Sequence, residues 1–135
     1  MSARRQSRLI AAQALYAYDM GNRQANIVDN LLAQSKIAQK YKDFATRLFE
    51  TTRDNLIAID ETLAANISKD WSLERLGRAE LAILRLACCE IAYLGEDAPV
   101  AISEALELAK QLADDNAPPF INGILEAVRK QRSGA

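Results

Sequence analysis

Arg4, Arg5 and Arg8 stand within a stretch that holds no acid, for the first carboxylate of the chain is Asp19. The protein as a whole is slightly acidic, with 18 Asp+Glu against 17 Lys+Arg. Positive charge gathered at one end of such a chain has the chemistry to meet phosphate. The same segment reads as a helix from Arg4 to Met20. At about 100° per residue, Arg4, Arg8, Ala12, Leu15 and Tyr16 fall in one sector of roughly 120°, with Arg5 inside it. Guanidinium groups and a phenol then line one edge. That pairing suits RNA, where arginines hold phosphates and an aromatic ring stacks on a base. The competing reading of the same residues is a solvated helix start. Leu15, Tyr16 and Tyr18 also compete for the inward position.

Other chemistry is thinly supplied. There is no histidine, which removes the usual general base, the usual triad member and the commonest zinc ligand. Cys88 and Cys89 are adjacent and form neither a zinc pair nor an ordinary structural disulfide, so they read as two small hydrophobes buried in a helix. No glycine-rich phosphate loop follows a strand. Carboxylate or lysine chemistry stays open in principle, but an enzyme is disfavoured and no cofactor is expected.

The elements that must position these residues are helical. Half of the chain is hydrophobic, with only five glycines and three prolines among 135 residues, a composition that favours helices. No apolar run approaches the roughly 20 residues that span a bilayer, and no secretory cleavage pattern is visible, so a cytoplasmic protein is expected. The first helix stops at Gly21-Asn22, and a shorter one carries Ile27, Val28, Leu31 and Leu32. A long helix is expected to carry Tyr41, Phe44, Leu48, Thr52, Leu56, Ile59, Leu63 and Ile67 and to end near Asp70. Trp71 opens a short turn of helix broken at Gly77, and is expected to anchor two halves of the molecule. The next helix, Arg78 to Leu94, is apolar on most of its circumference and belongs at the centre of a bundle. Arg85 within it needs a carboxylate partner, for which Glu104 or Glu107 is expected. The remaining acids around Glu96, Glu104 and Asp114 read mostly as a solvated surface.

Gly95 reads as a C-cap and Pro99 as the next boundary. A helix follows with Ile102, Leu106, Ala109 and Leu112. Pro118-Pro119 fit a first helical turn, and the last helix uses Phe120, Ile124, Leu125 and Val128 before a Ser-Gly-Ala tail. Gly123 costs roughly 1 kcal/mol within it, for which close helix approach is the expected reason. The fold class is therefore all-α: a compact bundle of six to seven helices. We expect one domain over residues 1–135, with sub-bundles of about 1–70 and 71–135 sharing a core.

Four blocks in order carry a resemblance over essentially the whole chain. Gln13-Ala14-Leu15-Tyr16 follows the arginines. Trp71 to Gly77 precedes Ala82 to Ala87 and Glu90. Pro99 to Ala105 continues into Glu107-Leu108-Ala109-Lys110, and Phe120-Ile121-Asn122-Gly123-Ile124-Leu125 comes last. Together they resemble the NusB family of bacterial transcription antitermination factors. The resemblance implies two packed helical sub-bundles, binding to the boxA element of ribosomal RNA leader transcripts, and a partner in the small-subunit ribosomal protein NusE. It implies action on RNA polymerase. It maps RNA contacts to Arg4, Arg5, Arg8, Tyr16 and Phe120, and a protein-partner surface to Glu74 and Glu80. Pro118 and Pro119 depart from the polar or basic residues that family members often carry before the phenylalanine.

Three or four phosphate contacts give a salt slope of only about −2 to −3 on single strands, so a modest RNA binder assisted by a partner is expected. Single-stranded RNA is the expected form, because its bases are open to reading. The rival reading is a homodimeric helical interaction module without direct RNA contact. An RNA-modifying enzyme ranks third: NusB-like domains also occur fused to ribosomal RNA methyltransferases, but no cofactor domain is expected in this sequence.

Overall fold

The computed structural model describes residues 1–133; Gly134 and Ala135, the end of the expected tail, lie outside the described residues. Seven α-helices form among the described residues: α1 (Ala3–Asp19), α2 (Ile27–Leu32), α3 (Gln39–Asp54), α4 (Leu56–Ala65), α5 (Arg78–Ala92), α6 (Ala98–Leu112) and α7 (Ala117–Arg132). A 3₁₀ turn spans Leu73–Arg75, and no strand occurs among the described residues. None of these helices is long and apolar enough to cross a membrane.

Helix α5 is the centre, as its nearly unbroken apolar circumference requires. Leu81, Ile83, Leu84, Leu86, Cys88 and Cys89 are all buried, and α1, α3, α4, α6 and α7 pack around it. One contiguous apolar cluster takes residues from all seven helices. The two thiols lie inside it as small hydrophobes, and burial pushes each pKa up to about 11.

The long helix expected across Tyr41–Ile67 is two helices. Asn55 leaves helical geometry at φ −116° and ψ 22°. Its side-chain amide donates to the Thr51 carbonyl at 2.8 Å, and its backbone N–H reaches both Thr51 and Thr52. Asparagine competes with the helix for backbone partners in this way. The apolar spacing continues through the break, because Phe44, Leu48, Ile59 and Leu63 still face the core.

Two other expectations change. Gly123 has open space where a Cβ would stand, so no neighbouring helix requires a glycine there. Arg85 reaches neither Glu104 nor Glu107. It forms a fork with Asp60 of α4 (Nε–Oδ1 2.9 Å, Nη2–Oδ2 2.8 Å) and approaches Asp19 at 3.6 Å, while Glu107 accepts from Lys110. The antiparallel course of α1 and α5 explains the second contact: the first half of α5 lies beside the last turn of α1. Arg78 joins Asp19 there at 3.3 Å.

Candidate nucleic-acid interface

The start of α1 is set by Ser2, whose hydroxyl oxygen accepts from the Arg5 backbone N–H at 3.1 Å. This N-cap satisfies one of the free amides of the first turn. Ser7 is buried and donates to the carbonyls of Ala3 and Tyr41, tying α1 to α3. The sector that carries Arg4, Arg8, Ala12, Leu15 and Tyr16 therefore faces mostly inward: Arg8, Ala12 and Leu15 are buried.

Arg8 departs furthest from the expected exposed edge. Its side chain is 3% exposed and grips Glu90, itself 3% exposed, through Nε at 3.0 Å and Nη2 at 2.8 Å. Glu96 accepts from the same guanidinium at 3.3 Å, and Glu104 lies 3.9 Å from it. Burial and the nearby Glu96 push the Glu90 carboxyl up in pKa, against the pull of the Arg8 hydrogen bonds. The pair is a core strut that joins α1 to α5. Glu96 reaches it because Gly95, at φ 69°, turns the chain so that the Glu96 amide returns to the Glu90 carbonyl at 3.0 Å. The glycine read as a cap thus also places an acid against the arginines.

Arg5 makes a second fork, with Nε 2.8 Å and Nη2 3.1 Å from the two oxygens of Glu104. Those hydrogen bonds hold the Glu104 carboxyl below its ordinary range, with burial opposing. Arg4 is the outermost of the three. It meets Glu96 at 3.3 Å and lays its guanidinium over the Phe44 ring, 4.1 Å from the centroid. Three arginines are thus balanced by three carboxylates, Glu90, Glu96 and Glu104. Of the acids read as mostly solvated surface, Glu96 and Glu104 are counter-ions of the basic tip, while Asp97, Asp114 and Asp115 are exposed.

The sequence pattern gave no notice of two cations beside this tip. Lys40 and Arg47 of α3 border one shallow cavity of about 260 Å³ with Arg4, Asp43 and Phe44. Neither enters an ion pair among the described residues. Their separation from the arginines in sequence hid them. The seven-residue step from Lys40 to Arg47, two turns on one helix face, was the available signal.

The aromatic residues lie toward the other end of α1. Tyr16 is 43% exposed, about 16 Å along the helix from Arg5 by the usual rise. It borders an apolar hollow of about 290 Å³ with Ala12, Gln13, Ala79, Ala82 and Leu112. Leu15 takes the inward place, and Tyr18 packs edge-on against Phe49. A second hollow, about 260 Å³, is bordered by Trp71, Gly77, Glu80, Asp114 and Phe120. The two hollows flank the start of α5: Gly77 and Glu80 border one, and Ala79 and Ala82 the other.

Phe120 is half-buried and has Trp71 above it, with ring centroids 5.9 Å apart and planes tilted by 54°. Trp71 is therefore not a buried anchor between halves: it is 46% exposed and has the Arg75 guanidinium over its ring, 5.0 Å from the centroid. Pro118 and Pro119 occupy the first turn of α7, where no intrahelical donor is lost, and so present Phe120 at the helix start. Glu80 is half-buried beside Phe120, and burial, then Asp114, raises its carboxyl pKa. Glu74 is exposed on the 3₁₀ turn. The structure brings Tyr16, Phe120 and Glu80 to adjoining hollows, and leaves the arginines at the opposite end of α1.

Such a face can stack and hydrogen-bond a ligand. Among the described residues, no group of three His, Cys, Asp or Glu side chains is placed to hold a metal ion.

Comparison with known proteins agrees with this architecture. The model of the NusB family matches residues 5–130. A transcription antitermination protein NusB from Sulfurovum sp. is 43% identical over 131 residues, 96% of this chain and all of the relative. The protein of that name from Sulfurimonas denitrificans is 41% identical over 133 residues, 98% of this chain and all of the relative. Among solved structures, Thermotoga maritima NusB superimposes with a TM-score of 0.87 at 30% identity, covering 97% of this chain and 93% of that one. A crystal structure of the antitermination factors NusB and NusE in complex with dsRNA gives a TM-score of 0.87 at 26% identity, covering 97% and 98%. The chain belongs to the NusB family, a family of transcription antitermination factors and not of enzymes.

Proposed function

We propose that this chain is an RNA-binding antitermination factor that engages the boxA element of ribosomal RNA leader transcripts together with the ribosomal protein NusE, and acts in the cytoplasm on RNA polymerase. The observation that carries the reading is the pair of adjoining hollows edged by Tyr16 and by Phe120 with Trp71. Exposed aromatic rings on neighbouring sites suit unstacked bases, each stacking contact contributing about 1–3 kcal/mol. Arg4 and Arg5, with Lys40 and Arg47, supply the phosphate contacts, while Arg8 fixes the helix that carries them. The exposed acid Glu74 and the half-buried Glu80 offer a basic ribosomal protein opposite charge at the edge of the RNA site. Membership of the family and the likeness to a NusB–NusE–dsRNA complex support this assignment.

The likeness to a duplex-bound relative makes RNA form part of the test. Fluorescence anisotropy with a single-stranded boxA-like oligonucleotide and its duplex, each with and without the ribosomal protein, should show tighter binding of the single strand and a gain with the protein. Equal, salt-driven binding of both forms, unaffected by Tyr16→Ala, would overturn the stacking role. A dimer in sedimentation that RNA does not dissociate would instead favour the homodimeric module.

A further inference from the structure

The ion pairs of the α1 tip fall into two ranks. Arg8–Glu90 is closed to solvent, with both side chains 3% exposed. Arg5–Glu104 lies nearer the surface at 33% and 18%, and Arg4–Glu96 at 49% and 21%. A guanidinium offers five donors in a planar fork, and the two that Arg5 commits to Glu104 form the bidentate arrangement that a phosphate also accepts. A phosphate gripped in the same way must take the place of the carboxylate. The released Glu104 would keep one cation, since Arg8 Nη1 lies 3.9 Å away.

We propose that Glu104 is an affinity-setting residue of the RNA site: its carboxylate occupies the phosphate-gripping edge of Arg5 in the free protein and is exchanged for an RNA phosphate on binding. Glu96 does the same more weakly for Arg4, through a single bond of 3.3 Å. This rests on the RNA-binding reading above and adds an internal competitor to it. The carboxylates keep Arg4, Arg5 and Arg8 neutralised in the free protein, so a polyanion gains little from these three arginines unless the aromatic face also engages. Selectivity for a base-presenting strand over bulk phosphate follows.

The test is the affinity of the full chain for a single-stranded boxA-like oligonucleotide over a range of salt. Glu104→Gln should bind about 2- to 5-fold more tightly, as expected for releasing a partly exposed ion pair. Its salt slope should steepen by up to about 0.7, because no carboxylate is then freed to take up a cation when the phosphate at Arg5 releases one. Glu96→Gln should give a smaller gain and serves as the second variant should Glu104→Gln fold poorly by circular dichroism. The gain must vanish in an Arg5→Ala background. A gain that persists there is a general charge effect and overturns the proposal. If the wild-type chain binds and Tyr16→Ala weakens it, yet Glu104→Gln binds no better, the competitor role falls while the RNA reading stands. If the wild-type chain does not bind the oligonucleotide, both fall.

Discussion

The two ends of α1 put opposite demands on their side chains. At the amino end, three arginines meet Glu90, Glu96 and Glu104, and the innermost pair is as buried as the leucines around it. At the other end Tyr16 stands 43% exposed over an apolar hollow, next to a second hollow edged by Phe120 and Trp71. The residues that look most like a ligand site by type are those most occupied within the protein. The aromatics, which by type could be core, are the ones left open. Charge identifies a binding site only when its counter-ions are known to be elsewhere.

The difference between the two ends is tested hardest at Arg8. Arg8→Ala strands the Glu90 carboxylate in the core and should destabilise the fold by about 3–5 kcal/mol in urea unfolding. The loss should shrink in acid. Burial raises the pKa of Glu90 and Arg8 lowers it, so without Arg8 it rises further, and the variant gains more stability than the wild type as pH falls and the carboxylate is protonated. Arg8 as a freely exposed RNA ligand would predict a near-neutral effect on stability instead. At the far end, Tyr16→Ala and Phe120→Ala should each weaken single-stranded RNA binding by about 1–3 kcal/mol in anisotropy titrations. Tyr16→Ala should also leave the thermal midpoint close to the wild-type value, because much of that ring is already in water.

Gly123→Ala probes the aromatic end on a smaller scale. The glycine follows Phe120 by three residues, and a methyl group in place of its hydrogen would meet nothing within 4 Å. Alanine there should stabilise the chain by about 0.5–1 kcal/mol by thermal or urea unfolding. The smallest effect belongs to Glu104. Its pKa is depressed in the folded state, chiefly by the Arg5 hydrogen bonds, so its contribution is complete above the ordinary glutamate value of about 4.3 and is lost as pH falls below it. Glu104→Gln should remove that part of the acid sensitivity, read as a flatter urea midpoint against pH.

The helices were legible because apolar spacing reports directly on a helix face. The helix read as Arg78 to Leu94 could be placed at the centre from its composition alone, and Pro99 and Pro118 mark helix starts for reasons local to the backbone. Asn55 was missed because the period of Phe44, Leu48, Ile59 and Leu63 survives the break, so the pattern alone does not reveal it. The partners of Arg85 were unreadable because they depend on α5 running antiparallel to α1 and on α4 packing beside it, which bring Asp19 and Asp60 to the guanidinium. Tyr16 could be placed in the arginine sector, but the presence of Ala12 and Leu15 in that sector was the signal that most of it faces inward. Lys40 and Arg47 joined Arg4 only through the packing of α3 on α1.

The proposed reading divides one cluster of arginines in its work: Arg5 and Arg4 are expected to meet RNA, while Arg8 is closed in the core against Glu90. Side-chain Nε–Hε resonances of the arginines, followed by NMR during titration with a single-stranded boxA-like oligonucleotide, read that division directly. The Arg5 and Arg4 signals should shift with the Tyr16 ring signals, while the Arg8 signal stays in place and remains protected from solvent exchange. A shift of Arg8 equal to that of Arg5, or shifts confined to α3 with Tyr16 unmoved, would contradict it.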